Sequence, residues 1–172
     1  MIAVAHDIGL SIQQIAEGLE TFEGVKRRQE IRGEKRGITV IDDFAHHPTA
    51  VKETIGAVSA FYPNKRLVAV FEPRSNSSRR NIFQREYSDS FDSADLVCVR
   101  KPTLLEKIPV DERFSSEQLA ADLESRGIDA HYFPDTDAII EFLEKNLRSD
   151  DIVLIMSNGG FDNIHERLLA AL

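Results

Sequence analysis

From Ile38 onward, short apolar runs alternate with longer stretches whose apolar residues recur every three or four positions. The runs GITVIDDF, RLVAVFE, DLVCVR, DAHYF and DIVLIMS have strand length. Between them, TAVKETIGAVSAFY, SSEQLAADLESRG and TDAIIEFLEKNL have helical spacing, as does FDNIHERLLAAL at the end. Pro48 suits the first position of a helix, a further helix is predicted near 80–92, and Gly127 ends the one before DAHYF. Strands separated by helices of this length predict an α/β fold, with a doubly wound, mostly parallel, Rossmann-like sheet. The near-continuous apolar runs LVAV and IVLIM fit strands covered on both faces. Upstream, residues 2–22 predict two short helices, with Ser11 as an N-cap before QQIAEGLETF and Gly24 closing the region. RRQEIRG and GITVIDDF then predict an antiparallel N-terminal strand or hairpin, joined by a loop Gly33-Glu34-Lys35-Arg36-Gly37.

The length of 172 residues suits one domain with a short appendage. No apolar stretch reaches membrane-spanning length, and Met1-Ile2-Ala3-Val4-Ala5 is interrupted at once by His6 and Asp7, so neither a membrane anchor nor a signal peptide is expected. The lone Cys98, inside LVCVR, reads as a packing residue and fits a reducing, cytoplasmic compartment. A net charge of −8 argues against general nucleic-acid binding. Against that background stand two basic clusters, Lys26-Arg27-Arg28 with Arg32, Lys35 and Arg36, and Arg74 with Arg79 and Arg80. They suit small anionic ligands, or they are solvated surface.

In a parallel α/β sheet, ligands sit beyond the carboxyl ends of the strands. The chemically dense residues fall at those ends. Asp42-Asp43-Phe44-Ala45-His46-His47-Pro48-Thr49 follows GITVI and admits several readings. It can be a metal site, since Asp and His are both good ligands. It can be a receiver-like acid pocket, which would need a further Asp and a Lys at later strand ends that are not in place. It can be a nucleotide and substrate loop, or simply an N-capping turn. Phe71-Glu72-Pro73-Arg74-Ser75-Asn76-Ser77-Ser78-Arg79-Arg80 follows RLVAV and is almost all hydrogen-bonding groups, with arginines shaped for carboxylate or phosphate. Ser157-Asn158-Gly159-Gly160-Phe161 follows IVLIM, and its glycines either admit a ligand to the backbone or make a tight turn. No GxxxxGK[ST] phosphate loop occurs anywhere in the chain.

Taken together and in this order, GVKRRQE, IDDFAHHPTA, FEPRSNSSRR and MSNGGF resemble the C-terminal domain of the Mur ligase family. FEPRSNSSRR and MSNGGF resemble most the murein peptide ligase branch. The resemblance implies a division into residues 1–22, the tail of a central ATPase domain with its linker, and residues 23–172, the C-terminal domain. It implies an ATP-dependent amide ligase of peptidoglycan recycling that joins UDP-N-acetylmuramate to L-alanyl-γ-D-glutamyl-meso-diaminopimelate through an acyl phosphate. ATP and Mg²⁺ would be bound mainly by the central domain, and this chain alone would be inactive, with no catalytic residue and no metal site of its own. Carried over by position, Arg28 and Asp43 would serve the nucleotide. His46 and His47 would face the substrates. Arg74, Ser75 and Asn76 would form the incoming-peptide loop, and Ser157, Asn158 and Gly159 would close over the peptide. Partners would be the two substrates and the N-terminal and central domains, with no nucleic acid and no membrane. Ser77-Ser78 departs from the Thr and bulkier residue of the tripeptide-adding relatives, which leaves the role of Arg79 open. Two other classes stay open on the residues alone: a free-standing metal-dependent hydrolase using Asp42, Asp43, His46 and His47, and a non-catalytic α/β binding module.

Overall fold

The apolar runs assemble into one sheet in a computed structural model that describes residues 1–172. Its strands are β1 (Glu30–Lys35), β2 (Ile38–Asp43), β3 (Leu67–Phe71), β4 (Leu96–Arg100), β5 (Asp129–Phe133) and β6 (Ile152–Met156). Their order across the sheet is β1-β2-β6-β3-β4-β5. Only the edge pair β1–β2 is antiparallel; all other pairs are parallel. The expected α/β class, mostly parallel with an antiparallel N-terminal hairpin, is the observed one.

Side chains alternate across each strand, so each apolar run feeds two cores. Ala69, Phe71, Val97 and Val99 face α3 (Pro48–Phe61), α4 (Gln84–Ser88) and α5 (Ser116–Ser125), where they pack with Val51, Ile55, Tyr87 and Leu119. Val68, Val70, Leu96 and Cys98 face α6 (Thr136–Asn146) and α7 (Ile164–Ala171), where they pack with Ile139, Leu143, Ile164 and Leu168. Helices therefore cover both faces, which is why the central strands carry no polar alternation.

Ahead of the sheet, α1 (Ile2–Asp7) and α2 (Ile12–Glu20) form as expected, and Ser11 and Gln14 make a reciprocal capping box. Neither helix buries a residue. No helix in the chain is long and apolar enough to cross a membrane.

Boundaries differ from the sequence reading in three places. The hairpin turn is only Arg36-Gly37, both left-handed at φ 55° and 77°, and a bulge lies between Ile31 and Gly33. That two-residue turn matches strand twist, so Gly33, Glu34 and Lys35 join β1 instead of the loop. The helix expected near 80–92 shrinks to α4 after one tight turn at Asn81–Phe83. Ser88 and Ser90 turn their hydroxyls onto the carbonyls of Arg85 and Glu86, which competes with helix continuation. Finally, α7 begins at Ile164 and not at Phe161, because Phe161, Asp162 and Asn163 are all left-handed.

Candidate functional site

Asp43 at the end of β2 and Phe71 at the end of β3 both pair with Met156 of β6. The loops leaving these strands thus start at one level, side by side. The chain after β2 and β3 turns to one face of the sheet, and after β6 to the other, so a crevice opens around the end of β6. The expected clusters 42–49, 71–80 and 157–161 meet there.

On the β3 side, Glu72 is fully buried. Its carboxylate takes Arg100 Nη1 at 2.8 Å and the Ser157 hydroxyl at 2.6 Å, with Arg74 Nη1 at 3.5 Å. Arg100 also reaches Asp162 at 2.6 Å, and Thr136 donates to the same carboxylate at 2.8 Å. These bonds hold the left-handed turn ahead of α7. A buried carboxylate shared between arginines satisfies the rule that buried charge must be paired. Arg74 itself is 41% exposed at the mouth of the crevice. Its side chain lies on Gly159, where an added Cβ would stand 2.1 Å from Arg74 Cδ.

Arg79 now has a role. Its guanidinium donates to Asn76 Oδ1 at 2.7 Å and to the carbonyls of Ser75, Thr103 and Leu104 at 3.3–3.4 Å. It laces the 74–80 loop to the loop after β4 and has little capacity left for a ligand. Ser75 is likewise turned inward, accepting from Ser78 N and donating to the Ser78 hydroxyl. Of the residues expected at the peptide, Arg74 is the one charged group, and it stands at the mouth of the crevice. Asn158 holds a buried Oδ1 with no partner. The Ser157 hydroxyl accepts from Gly159 N at 2.9 Å, and so it fixes the turn.

On the β2 side, Arg28, Asp43, Phe44 and His46 line a cleft of about 480 Å³. Asp43 accepts Ala45 N at 2.7 Å on one oxygen and Gln29 N at 2.9 Å on the other, which locks the carboxylate while leaving lone pairs free. The Arg28 guanidinium lies over the Phe44 ring at 4.8 Å. His46 points Nδ1 at the Phe44 carbonyl, 2.9 Å away, and its own carbonyl accepts the buried Tyr87 hydroxyl. His47 turns away: it caps α3 by accepting Thr49 N and stacks edge-on against Phe83. The cleft therefore joins Arg28, Asp43 and His46 but not His47.

Strand alternation sends Asp42 to the opposite face from Asp43. There it meets Arg32 at 3.4 Å, Arg27 at 3.5 Å and His165 Nε2 at 3.4 Å, the last without hydrogen-bond alignment. Burial alone would raise the Asp42 carboxyl, but His165, then Arg27 and Arg32, outweigh it and hold it below the ordinary 3.8. No three His, Cys, Asp or Glu side chains converge as a metal-holding group. The hydrolase set Asp42, Asp43, His46 and His47 is thus dispersed over two faces and a helix cap.

Arg27 joins the two sides. Its Nη2 donates to the carbonyls of Ser157 at 2.5 Å and Gly159 at 2.8 Å, while its own carbonyl accepts Phe44 N at 2.9 Å. Sequence reading singled out neither Arg27 individually nor Glu72, Arg100, Asp162 or His165. One signal was present for the central pair. LVAVFE and LVCVR are similar runs ending in an acid and an arginine, and their parallel register sets Phe71 opposite Val99. That register leaves Glu72 beside Arg100.

Residues 27–159 match the family described as Mur ligase, glutamate ligase domain. The chain is 37% identical over 172 residues to the UDP-N-acetylmuramate–L-alanyl-γ-D-glutamyl-meso-2,6-diaminoheptandioate ligase of Escherichia coli, covering 99% of this chain and 35% of that protein. It is 36% identical over 171 residues to the UDP-N-acetylmuramate–L-alanine ligase of Nostoc punctiforme, with 99% and 35% covered. The crystal structure of a murein peptide ligase from Psychrobacter arcticus superposes with a TM-score of 0.74 at 34% identity, covering 99% of this chain and 35% of that one. The UDP-N-acetylmuramate–alanine ligase of Thermotoga maritima shares the fold, with a TM-score of 0.74 at 22% identity over 98% of this chain and 35% of its own. The chain thus spans about a third of the length of the curated relatives it matches. With the match covering most of the chain, and the strand-end loops gathered around β6, the protein belongs to the Mur ligase family and carries that family's C-terminal domain.

Proposed function

We propose that the chain is the C-terminal domain of an ATP-dependent ligase that joins UDP-N-acetylmuramate to L-alanyl-γ-D-glutamyl-meso-diaminopimelate, a cytoplasmic step of peptidoglycan recycling. In this reading the lactyl carboxylate attacks the γ-phosphorus of ATP and ADP leaves. The peptide amine then attacks the acyl phosphate, phosphate departs and the amine loses a proton. A carboxylate anion is a poor acceptor for an amine, and phosphorylation supplies the leaving group. The acyl phosphate must be kept from water, which is the task of a domain that closes over it.

The chain's own residues bind and orient. Arg28 and the locked Asp43 would take the nucleotide, Asp43 through ribose hydroxyls, with His46 beside them. Arg74 would take a carboxylate of the peptide, with Asn158 and the Ser157–Gly159 turn beside it. Mg²⁺, which ATP implies, finds no converging set of donors here and would be held by the upstream domain. Residues 1–22 would belong with an upstream ATPase domain. That assignment is supported by Ile2, Val4, Ile8, Ile12 and Phe22, all more than half exposed. The isolated domain would be inactive.

Overall identity does not separate tripeptide from alanine addition, since relatives of both kinds lie at 36–37%. The observation that carries the choice is Arg74. It is a partly free guanidinium in a polar loop with no apolar pocket, suited to a peptide with several carboxylates. The test is ligation by the full-length enzyme with UDP-N-acetylmuramate, ATP and either the tripeptide or L-alanine. The tripeptide should be preferred. Arg74→Ala should raise its KM roughly 30-fold, the low end of the ~2–5 kcal/mol cost of truncating one partner of a buried charge pair, and leave the KM for ATP unchanged. Preference for L-alanine, or loss of ATP affinity instead, would overturn the reading.

A further inference from the structure

Gly159 does not owe its place to the backbone. Its φ is not positive, so any residue can adopt that conformation. What forbids a side chain is Arg74: a Cβ on Gly159 would stand 2.1 Å from its Cδ and 2.2 Å from its Nε. The neighbouring Gly160 has open space at the same test. The missing side chain of Gly159 is therefore a slot, and the arginine lies in it. At the far end of the slot Glu72 reaches Arg74 Nη1 at 3.5 Å. Glu72 cannot drift, because Arg100 holds one oxygen at 2.8 Å and the Ser157 hydroxyl holds the other at 2.6 Å. Ser157 also fixes the slot, through its 2.9 Å bond from Gly159 N.

We propose that Glu72 and Gly159 are positioning residues that together seat the Arg74 guanidinium, and that this seat determines which peptide the ligase accepts. The proposal rests on the tripeptide reading above and deepens it: Gly159 acts on the peptide through Arg74. An unseated arginine on a surface loop samples many rotamers and must surrender that freedom on binding. The seat removes most of that loss beforehand. It also fixes where the remaining N–H groups stand, so a peptide carboxylate is accepted only where its chain can deliver it to them.

The test uses the full-length enzyme and the steady-state constants for the tripeptide and for ATP. Gly159→Ala should fold, since only a mid-length flexible side chain must move. It should raise the tripeptide KM about tenfold, as expected for misplacing a binding group by an ångström or more, with kcat and the KM for ATP within about twofold. Glu72→Gln should shift the same constant in the same direction; if it fails to fold, Gly159→Ala carries the test alone. The decisive variant is Gly159→Ala combined with Arg74→Ala. With no arginine to displace, the added alanine should change the tripeptide KM by less than about twofold. An undiminished effect of Gly159→Ala in that background, or no effect in the presence of Arg74, overturns the seat while leaving the peptide loop intact. A tripeptide KM that ignores Arg74→Ala overturns the loop assignment, and the seat with it.

Discussion

Asp42→Asn isolates the charge of a carboxylate while nearly keeping its shape. Asp42 is 3% exposed at the side chain and faces Arg27, Arg32 and His165, each within 3.5 Å. Removing one member of a fully buried ion pair typically costs ~3–5 kcal/mol, mostly because the partner is stranded. Here the two arginines, unlike the buried His165, are not stranded. Arg27 and Arg32 are about 30% exposed; Arg32 keeps Glu166, and Arg27 keeps the carbonyls of Ser157 and Gly159. The expected loss is therefore smaller, about 2 kcal/mol at pH 7, or roughly 4–8 °C in Tm for a domain of this size. Its pH dependence follows from the depressed carboxyl. The unfolded chain takes up the Asp42 proton at a higher pH than the folded one, so the stabilisation is complete above the ordinary 3.8 and fades as pH falls through the lower folded value. Thermal melts of both proteins should differ by a constant amount from pH 7 down to pH 5 and converge only below 3.8. A gap equally wide at pH 3 would place the loss in packing, and a gap closing near neutrality would exclude this carboxyl as its source.

Asp151→Ala should destabilise by about 2–4 kcal/mol in urea melts, because the buried carboxylate takes Arg66 Nε at 3.0 Å and Nη2 at 2.8 Å and caps Arg148 N at 2.8 Å. Arg66 would keep only the Asn146 carbonyl at 2.8 Å. Cys98 should be silent towards a thiol reagent at pH 8 in the native protein, since burial first, and then Asp129, pushes its thiol well above the usual range. Reaction should appear at the denaturant concentration where far-UV circular dichroism is lost; rapid labelling of the folded protein would contradict the buried β4.

The sheet was legible because its central strands are apolar runs covered on both faces, a pattern that survives without knowledge of neighbours. Boundaries were less legible where conformation is set at a distance. Phe161, Asp162 and Asn163 read as the start of a helix, yet Arg100 and Thr136, far away in sequence, hold the Asp162 carboxylate in a left-handed turn. Gly33 read as a loop residue but sits beside a bulge within β1. The candidate site was legible at Asp43, His46, Arg74 and Ser157, since strand ends of a parallel sheet mark themselves, whereas Arg28, ahead of β1, was reached only through the family resemblance. The buried Glu72–Arg100 pair was not, since local sequence does not state which strands lie side by side. His47 illustrates the opposite failure. Its neighbour faces the cleft, but the demand of α3 for an N-cap turns His47 the other way.

The bonds made by Arg27 have a mechanical consequence. Residues 27–29 are pinned at several points: Arg27 to the turn after β6 and to Phe44 N, and Gln29 N to Asp43. From Arg27 onward the chain is tied to the sheet. Any swing between the N-terminal helices and the sheet must then be taken up before Arg27, where Gly24 already sits at φ 88°. A pivot at that point would carry both clefts along the same arc, so that neither the Arg28 side nor the Arg74 side could approach an upstream surface without the other.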